Sequence, residues 1–322
     1  MALTLLQIVN AAQAELGLPQ SASVIGNGDA TTQQMLALAN RTLDELRRMN
    51  RWTVQQFEYN LVVNPPVVTT GNISTATPNV ITNISPGTTG VVANYFTVSG
   101  NAIPQAARVQ SVDSPTQVTM DMEAGITQNL VGATITFAQD TYPMPVGFDW
   151  FNNRTMWDRT NRWELLGPDS PQMDQWHRSG IVATGPRRHF RKIGPYADQF
   201  RIWPPPLEIT NPLQLVFEYL SIAAVAVHGS QSTFAQYFQN DDDQPLLDDQ
   251  AVTLGIEWMF WQRKGFGYAE MKNDWIDYVD RLKARDGAAP TLNLVKRVNP
   301  IFISPANIQD GFFPGPVGPN TI

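Results

Sequence analysis

Cysteine is missing from the 322 residues, and histidine occurs only three times, as His177, His189 and His228. The first absence removes thiol nucleophiles, cysteine-based zinc sites and disulfide frameworks, and it leaves the redox compartment open. The histidines stand far apart and form no His-x-x-x-His or His-Glu-x-x-His spacing, so metalloprotease chemistry has no motif to rest on. Charge is scarce as well: Asp, Glu, Lys and Arg make up 16% of the chain, against roughly 25% in ordinary soluble domains. A surface this neutral suits large protein interfaces, although a neutral β-rich module with no partner would look the same. No apolar run reaches the length of about 18 residues that a membrane span needs. A cleavable leader, a Gly-x-Ser-x-Gly elbow, a Gly-x-x-x-x-Gly-Lys phosphate loop and a dinucleotide fingerprint are also missing. The expectation is a non-enzymatic protein without cofactor, metal or membrane anchor, made in a cytoplasm.

The balance of 22 Lys and Arg against 29 Asp and Glu gives a net charge of −7. That balance opposes avid, sequence-independent binding to phosphates, while an acidic lumen would let a duplex pass without sticking. One dense basic run stands out, in which Arg187, Arg188, Arg191 and Lys192 surround His189 and Phe190. It reads as a contact to DNA or to carboxylates on a neighbouring subunit, or as a solvated loop. The acidic run Asn240-Asp-Asp-Asp243 with Asp248 and Asp249 lacks the spacing, central Gly and closing Glu of an EF-hand loop. It reads as a capped helix start, with acids at the positive end of the dipole. Glu164 and Asp169 flank an aromatic loop as sugar sites do, but Glu164 near Arg162 is more simply a surface charge pair.

Patterning divides the chain into five stretches. Residues 1–60 predict two helices, the first capped by Thr4 with Gln7, the second by Thr31 or Thr32 and ending near Trp52. Residues 61–142 are rich in Val, Thr, Asn and Gly, with strand candidates at 67–69, 79–84, 95–98, 109–112, 117–120 and 134–137. Residues 143–240 are aromatic and loop-rich, with two strands at 199–203 and 213–219 joined by a proline-fixed, hairpin-like return. Residues 241–285 predict a helical hairpin whose seam carries Leu247, Leu254, Trp258 and Trp261, then Trp275 and Tyr278. Residues 286–322 form a Gly- and Pro-rich tail whose apolar groups Ile301, Phe302, Ile303, Phe312 and Phe313 suit docking into a partner's groove, or else belong to a disordered end.

Four runs occur in order: Phe200-Arg-Ile-Trp-Pro-Pro-Pro206, Leu213-Gln-Leu-Val-Phe-Glu-Tyr-Leu220, Phe238-Gln-Asn-Asp-Asp-Asp-Gln-Pro-Leu-Leu-Asp-Asp249 and Leu254-Gly-Ile-Glu-Trp-Met-Phe-Trp-Gln-Arg-Lys-Gly-Phe-Gly-Tyr268. Together with Leu36, Asn40 and Leu43 ahead of Trp52, this order resembles podovirus-like head-to-tail adaptors of tailed bacteriophages, the connector rings that bind the portal. The resemblance implies an α+β fold, with a helical adaptor core made of the N-terminal helices and the C-terminal hairpin. An inserted small β-sandwich-like module and a further loop and β region would complete it. It also implies a virion protein at the head–tail interface, in a closed ring of about twelve subunits. The implied partners are the portal protein, which would receive the tail, and a tail nozzle or tube protein, with tail fibres at the periphery and DNA passing transiently. Two other classes stay open on the residues alone: a receptor- or carbohydrate-binding tail protein, and a cell-wall hydrolase.

Overall fold

The computed structural model describes residues 2–152, 154–179, 187–194, 198–207 and 209–287. The docking candidates Ile301, Phe302, Ile303, Phe312 and Phe313 lie outside the described residues. Among the described residues there are five α-helices: α1 (Leu5–Glu15), α2 (Ala30–Met49), α3 (Pro171–Arg178), α4 (Asp249–Lys264) and α5 (Ala269–Asp286). The strands are β1 (Gln56–Val63), β2 (Val67–Ser74), β3 (Thr77–Ser85), β4 (Phe96–Gly100), β5 (Val109–Ser114), β6 (Gln117–Met120), β7 (Leu130–Gln139), β8 (Thr141–Pro143), β9 (Phe148–Phe151), β10 (Trp157–Asp158), β11 (Trp163–Glu164), β12 (His189–Ile193), β13 (Gln199–Trp203), β14 (Leu213–Ser221), β15 (Val225–Ala226), β16 (Phe234–Ala235) and β17 (Gln244–Pro245).

These proportions correct the expected fold class. Seventeen strands against five helices among the described residues make the chain mostly β, not a helical adaptor core. The error lies largely in the stretch 143–240, whose short strands carry too few residues each to show an alternating pattern. The presumed sandwich is also corrected. Strands β4-β7-β2-β3-β6-β5 form one antiparallel sheet, and its two ends are drawn together where Thr97 bridges Arg108 and the Val98 amide donates to the Ala107 carbonyl at 2.8 Å. A single curled sheet thus wraps its own core of Ile73, Ile81, Val98, Val109, Val118, Ile135 and Phe137. Of the polar residues that alternate with these, Thr134 is exposed and Asn72, Thr82 and Thr119 are half-buried, while Thr97 is buried. The proline-fixed return is no hairpin: β13 pairs with β12 and β8, whereas β14 pairs with β9 and β10 in a different sheet.

The chain divides into two compact units, one from the N-terminal segment through Phe57, Val146–Phe151 and the stretch from Tyr219 through α5, the other from Glu58–Pro145 and Asn152–Glu218. In the first unit, α1, α2, α4 and α5 bury Leu5, Ile8, Met35, Leu43, Trp258, Met259 and Trp275 in one cluster. Thr4 and Gln7 form the reciprocal capping box on α1. The cap of α2 is Asp29, which accepts from the Thr32 amide at 2.9 Å, while Thr32 itself is buried. Three further amides at the start of the chain find distant partners: Leu3 donates to Asp249 Oδ2 at 3.1 Å, Leu5 to the Asp243 carbonyl at 2.8 Å and Leu6 to the Asp241 carbonyl at 3.1 Å.

Helices α2 and α4 are in tight contact where Gly255 meets Thr42. A Cβ on Gly255 would fall 2.2 Å from Thr42 Cγ2, so only hydrogen fits there. One turn of α4 carries Glu257, which is 1% exposed. Burial first, and then the neighbouring Glu15 carboxylate of α1, push its carboxyl up to about 8.

Candidate functional site: an ionic helix–sheet interface

Within the second unit, β12-β13-β8 form a three-stranded antiparallel sheet with two unlike faces. Register pairs Phe190 with Ile202, Lys192 with Phe200 and Phe200 with Tyr142. Since alternate residues point to opposite sides, these share a face, and it is largely apolar: the Tyr142 and Phe200 rings lie 5.7 Å apart and Phe200 meets Phe217 edge-on at 5.7 Å. Register also pairs His189 with Trp203 and Arg191 with Arg201, which puts two guanidiniums and an imidazole on the opposite face.

Helix α3 covers that polar face. Ser170 caps it, accepting from the Met173 amide at 3.2 Å, and Pro171 occupies the first turn, where no amide is needed. Its buried side chains are Asp174 and His177, one turn apart on one face. The Asp174 carboxylate lies 2.9 Å from Arg191, 3.8 Å from Arg201 and 3.9 Å from Arg178. The Arg178 guanidinium in turn sits 5.8 Å from the Trp203 ring centre. The helix is therefore held by charge rather than by an apolar stripe.

A second carboxylate extends the network inward. Asp140 is fully buried and accepts from Arg108 Nη2 at 3.0 Å and from the Thr141 hydroxyl at 2.8 Å. Arg108 also donates to Thr141 Oγ1 at 2.9 Å and to the Asn94 carbonyl. Burial raises the Asp140 carboxyl above its ordinary range, with Arg108 and Arg201 opposing. Burial likewise lowers Arg108, and it draws Arg201 down to about 10, helped by the repulsion of Arg108.

The basic run is largely absorbed here. Arg191 pairs with Asp174, Arg188 lies 3.7 Å from Asp158, Arg187 is buried, and Lys192 sits half-buried beside Phe200 in register. The sequence missed the acids Asp158 and Asp174 that receive Arg188 and Arg191, because they come from other elements. It missed one constellation more: the Asp169 carboxylate lies 3.1 Å from His177 Nδ1 and 3.3 Å from His189 Nδ1. The two histidines are twelve positions apart, one on the last turn of a short helix and one opening a strand, so no motif spacing marks them.

The remaining predicted groups sit in the first unit. Trp258, Trp275 and Leu247 are buried together, with Leu254, Trp261 and Tyr278 packed against them. Trp275 Nε1 donates to the Ala251 carbonyl at 2.9 Å, and the Tyr278 hydroxyl donates to Asp248 at 3.0 Å. The acidic run caps and ties the backbone. Asp248 accepts from the Ala251 amide at 3.1 Å, Asp241 from Val24 and Ile25 at 2.9 and 2.7 Å, and Asp243 from His228, Gln239 and Asn240 at 3.0, 2.7 and 2.8 Å. These hydrogen bonds hold the Asp243 carboxyl below its usual range against its burial.

No protein-family model matches this chain, and no curated protein is significantly similar to it. The reading of its function therefore rests on the residues and the geometry. No helix among the described residues is long and apolar enough to cross a membrane.

Proposed function

We propose that this protein is a structural component of a tailed-phage virion, a ring-forming subunit that joins the portal to the tail and surrounds the path of the DNA. The observation that supports this best is an open groove of about 570 Å³ in the first unit, where Leu16, Leu18, Phe260, Trp261 and Phe266 meet at the turn between α4 and α5. Phe266 is 59% exposed at its edge. Aromatic and aliphatic groups clustered in a surface hollow are what interface hot spots are built from. We assign this groove to the adjacent copy in the ring. The consumption of Arg188 and Arg191 by internal carboxylates is consistent with DNA that passes rather than binds.

The test is to mix the protein with the portal from the same genome and to follow assembly by native mass measurement and electron microscopy. A ring of subunits on the portal's narrow end is the expected result, and Phe266→Asp is expected to block ring closure while the monomer keeps its helical content. No association with the portal would refute the proposal. A second reading is favoured by Trp157 and Trp176, which are 39% and 50% exposed in the β-rich unit, because exposed tryptophan faces suit sugar rings. Specific binding on a glycan array, lost in Trp176→Ala, would support a receptor-binding tail protein instead.

A further inference from the structure

We propose that Asp169, His177 and His189 bind one divalent transition-metal ion, with zinc the best chemical match, and that the ion clasps α3 onto β12. The ligand atoms are one carboxylate oxygen and two imidazole nitrogens, and all three lie within 4.8 Å of one another. Zinc bonds to such atoms at about 2.0–2.1 Å, which places tetrahedral ligands about 3.3 Å apart. The observed separations of 3.1 and 3.3 Å between the carboxylate and the two Nδ1 atoms match that edge. The imidazoles lie 4.2 Å apart at 52° and converge on one carboxylate. Two imidazoles with a single carboxylate favour zinc and its neighbours over calcium or magnesium, which take oxygen ligands.

The segment before α3, the last turn of α3 and the start of β12 bring these groups together. The Leu166 amide donates to the Arg188 carbonyl at 2.9 Å, the Phe190 amide donates to the Leu166 carbonyl at 2.8 Å and the Asp169 amide to the Phe190 carbonyl at 2.9 Å, tying the segment before α3 to β12 on either side of His189. Gly167, at φ +145°, lets this segment approach, since a Cβ there would fall 2.5 Å from the Phe190 carbonyl oxygen. His177 arrives on the helix that Ser170 begins. A site on rigid elements needs little reorganisation to take its ion.

The helix has ion pairs through Asp174 but no apolar anchor. It has eight residues, and its buried side chains are Asp174 and His177, with no buried apolar group among them. So short a helix is unstable alone, and an ion joining its last turn to a strand adds an attachment to the one that Asp174 makes with Arg191. Side-chain exposures of 12%, 7% and 20% for Asp169, His177 and His189 leave an edge at which water completes four-coordination. The cluster of His228, Asp242 and Asp243 differs on this point. The Asp243 oxygens already accept from three amides and the Asn240 side chain, and His228 and Asp242 are 59% and 61% exposed.

Asp169 accepting two imidazole N–H bonds would produce the same distances without an ion, and the experiment separates the two. The full chain is stripped with a chelator, dialysed, and titrated with zinc by calorimetry, with metal content measured by mass spectrometry. Cobalt substitution provides a visible spectrum. The expected result is one ion per chain, release of protons on binding, tetrahedral cobalt bands and a rise in melting temperature with zinc. Asp169→Asn and His177→Gln are expected to lose the ion, and His228→Gln to keep it. Absence of stoichiometric metal in the wild type, or metal retained in folded His177→Gln, overturns the proposal. If the variants do not fold, the wild-type cobalt spectrum decides: bands without tetrahedral intensity overturn it.

Discussion

Glu257 should make the stability of the helical unit fall as pH rises through neutrality, against the usual trend for proteins held by ionised carboxylates. Its carboxyl is buried on α4 and pushed up to about 8, first by burial and then by Glu15, whereas in the unfolded chain it titrates near an ordinary glutamate. Between those values the native state holds a proton that the unfolded state has released. Stability therefore decreases with pH over that window, by about 1.4 kcal/mol per unit. From pH 5 to pH 7 the loss attributable to this one group is about 2–3 kcal/mol, a large share of the roughly 5–15 kcal/mol that holds a typical domain. Glu257→Gln keeps the shape and removes the titration. Urea unfolding of both proteins, followed by the fluorescence of the buried Trp258 and Trp275, should show equal stability near pH 5 and a widening advantage for the glutamine variant up to pH 8. Taking the difference between variants cancels other titrating groups, such as Asp140. Parallel stability curves would refute the reasoning and place Glu257 in contact with water in the native state.

Two further substitutions test the packing and the ion network. Gly255→Ala should destabilise the first unit by about 1–3 kcal/mol in thermal unfolding, despite the better helix propensity of alanine, because its Cβ meets Thr42; Thr42→Ala in the same chain should recover much of the loss. Arg108→Met should cost the second unit about 3–5 kcal/mol, since it strands Asp140 in the interior without its closest cation. The double variant Arg108→Met with Asp140→Leu should be milder than the single one, and a double-variant loss equal to the sum of the two single losses would deny the coupling.

Local signals were legible in the sequence. Thr4 and Gln7 sit at the distance of a capping box and form one, and the six strand stretches of the β module each lie in or overlap a strand from β2 to β7. Glycine at position 265 ends α4 in the left-handed region at φ +79°, a stop that the residue type itself allows. What escaped was set by distance along the chain. Whether the curled sheet closes depends on Thr97 meeting Arg108, and whether Arg191 faces solvent depends on Asp174 of a helix folded over it. The basic run looked like a surface patch because charge composition cannot show that the matching acids arrive from other elements. His177 and His189 were read as scattered for the same reason: a helix end and a strand start converge only once the strand pairing is known.

The ties of the first residues to Asp241, Asp243 and Asp249 have a consequence for synthesis. A ribosome delivers α1 and α2 well before α4, so the amides of Leu3, Leu5 and Leu6 and the side chain of Thr42 find their partners only after more than two hundred further residues have emerged. Throughout that interval the apolar sides of both helices lack the surface they are shaped for, while the chain in between is able to complete its sheets. Such a nascent intermediate is exposed to misassociation with its siblings on one polysome, and slowing translation ahead of Asp241 should increase aggregation, whereas supplying the segment from Tyr219 onward in trans should relieve it.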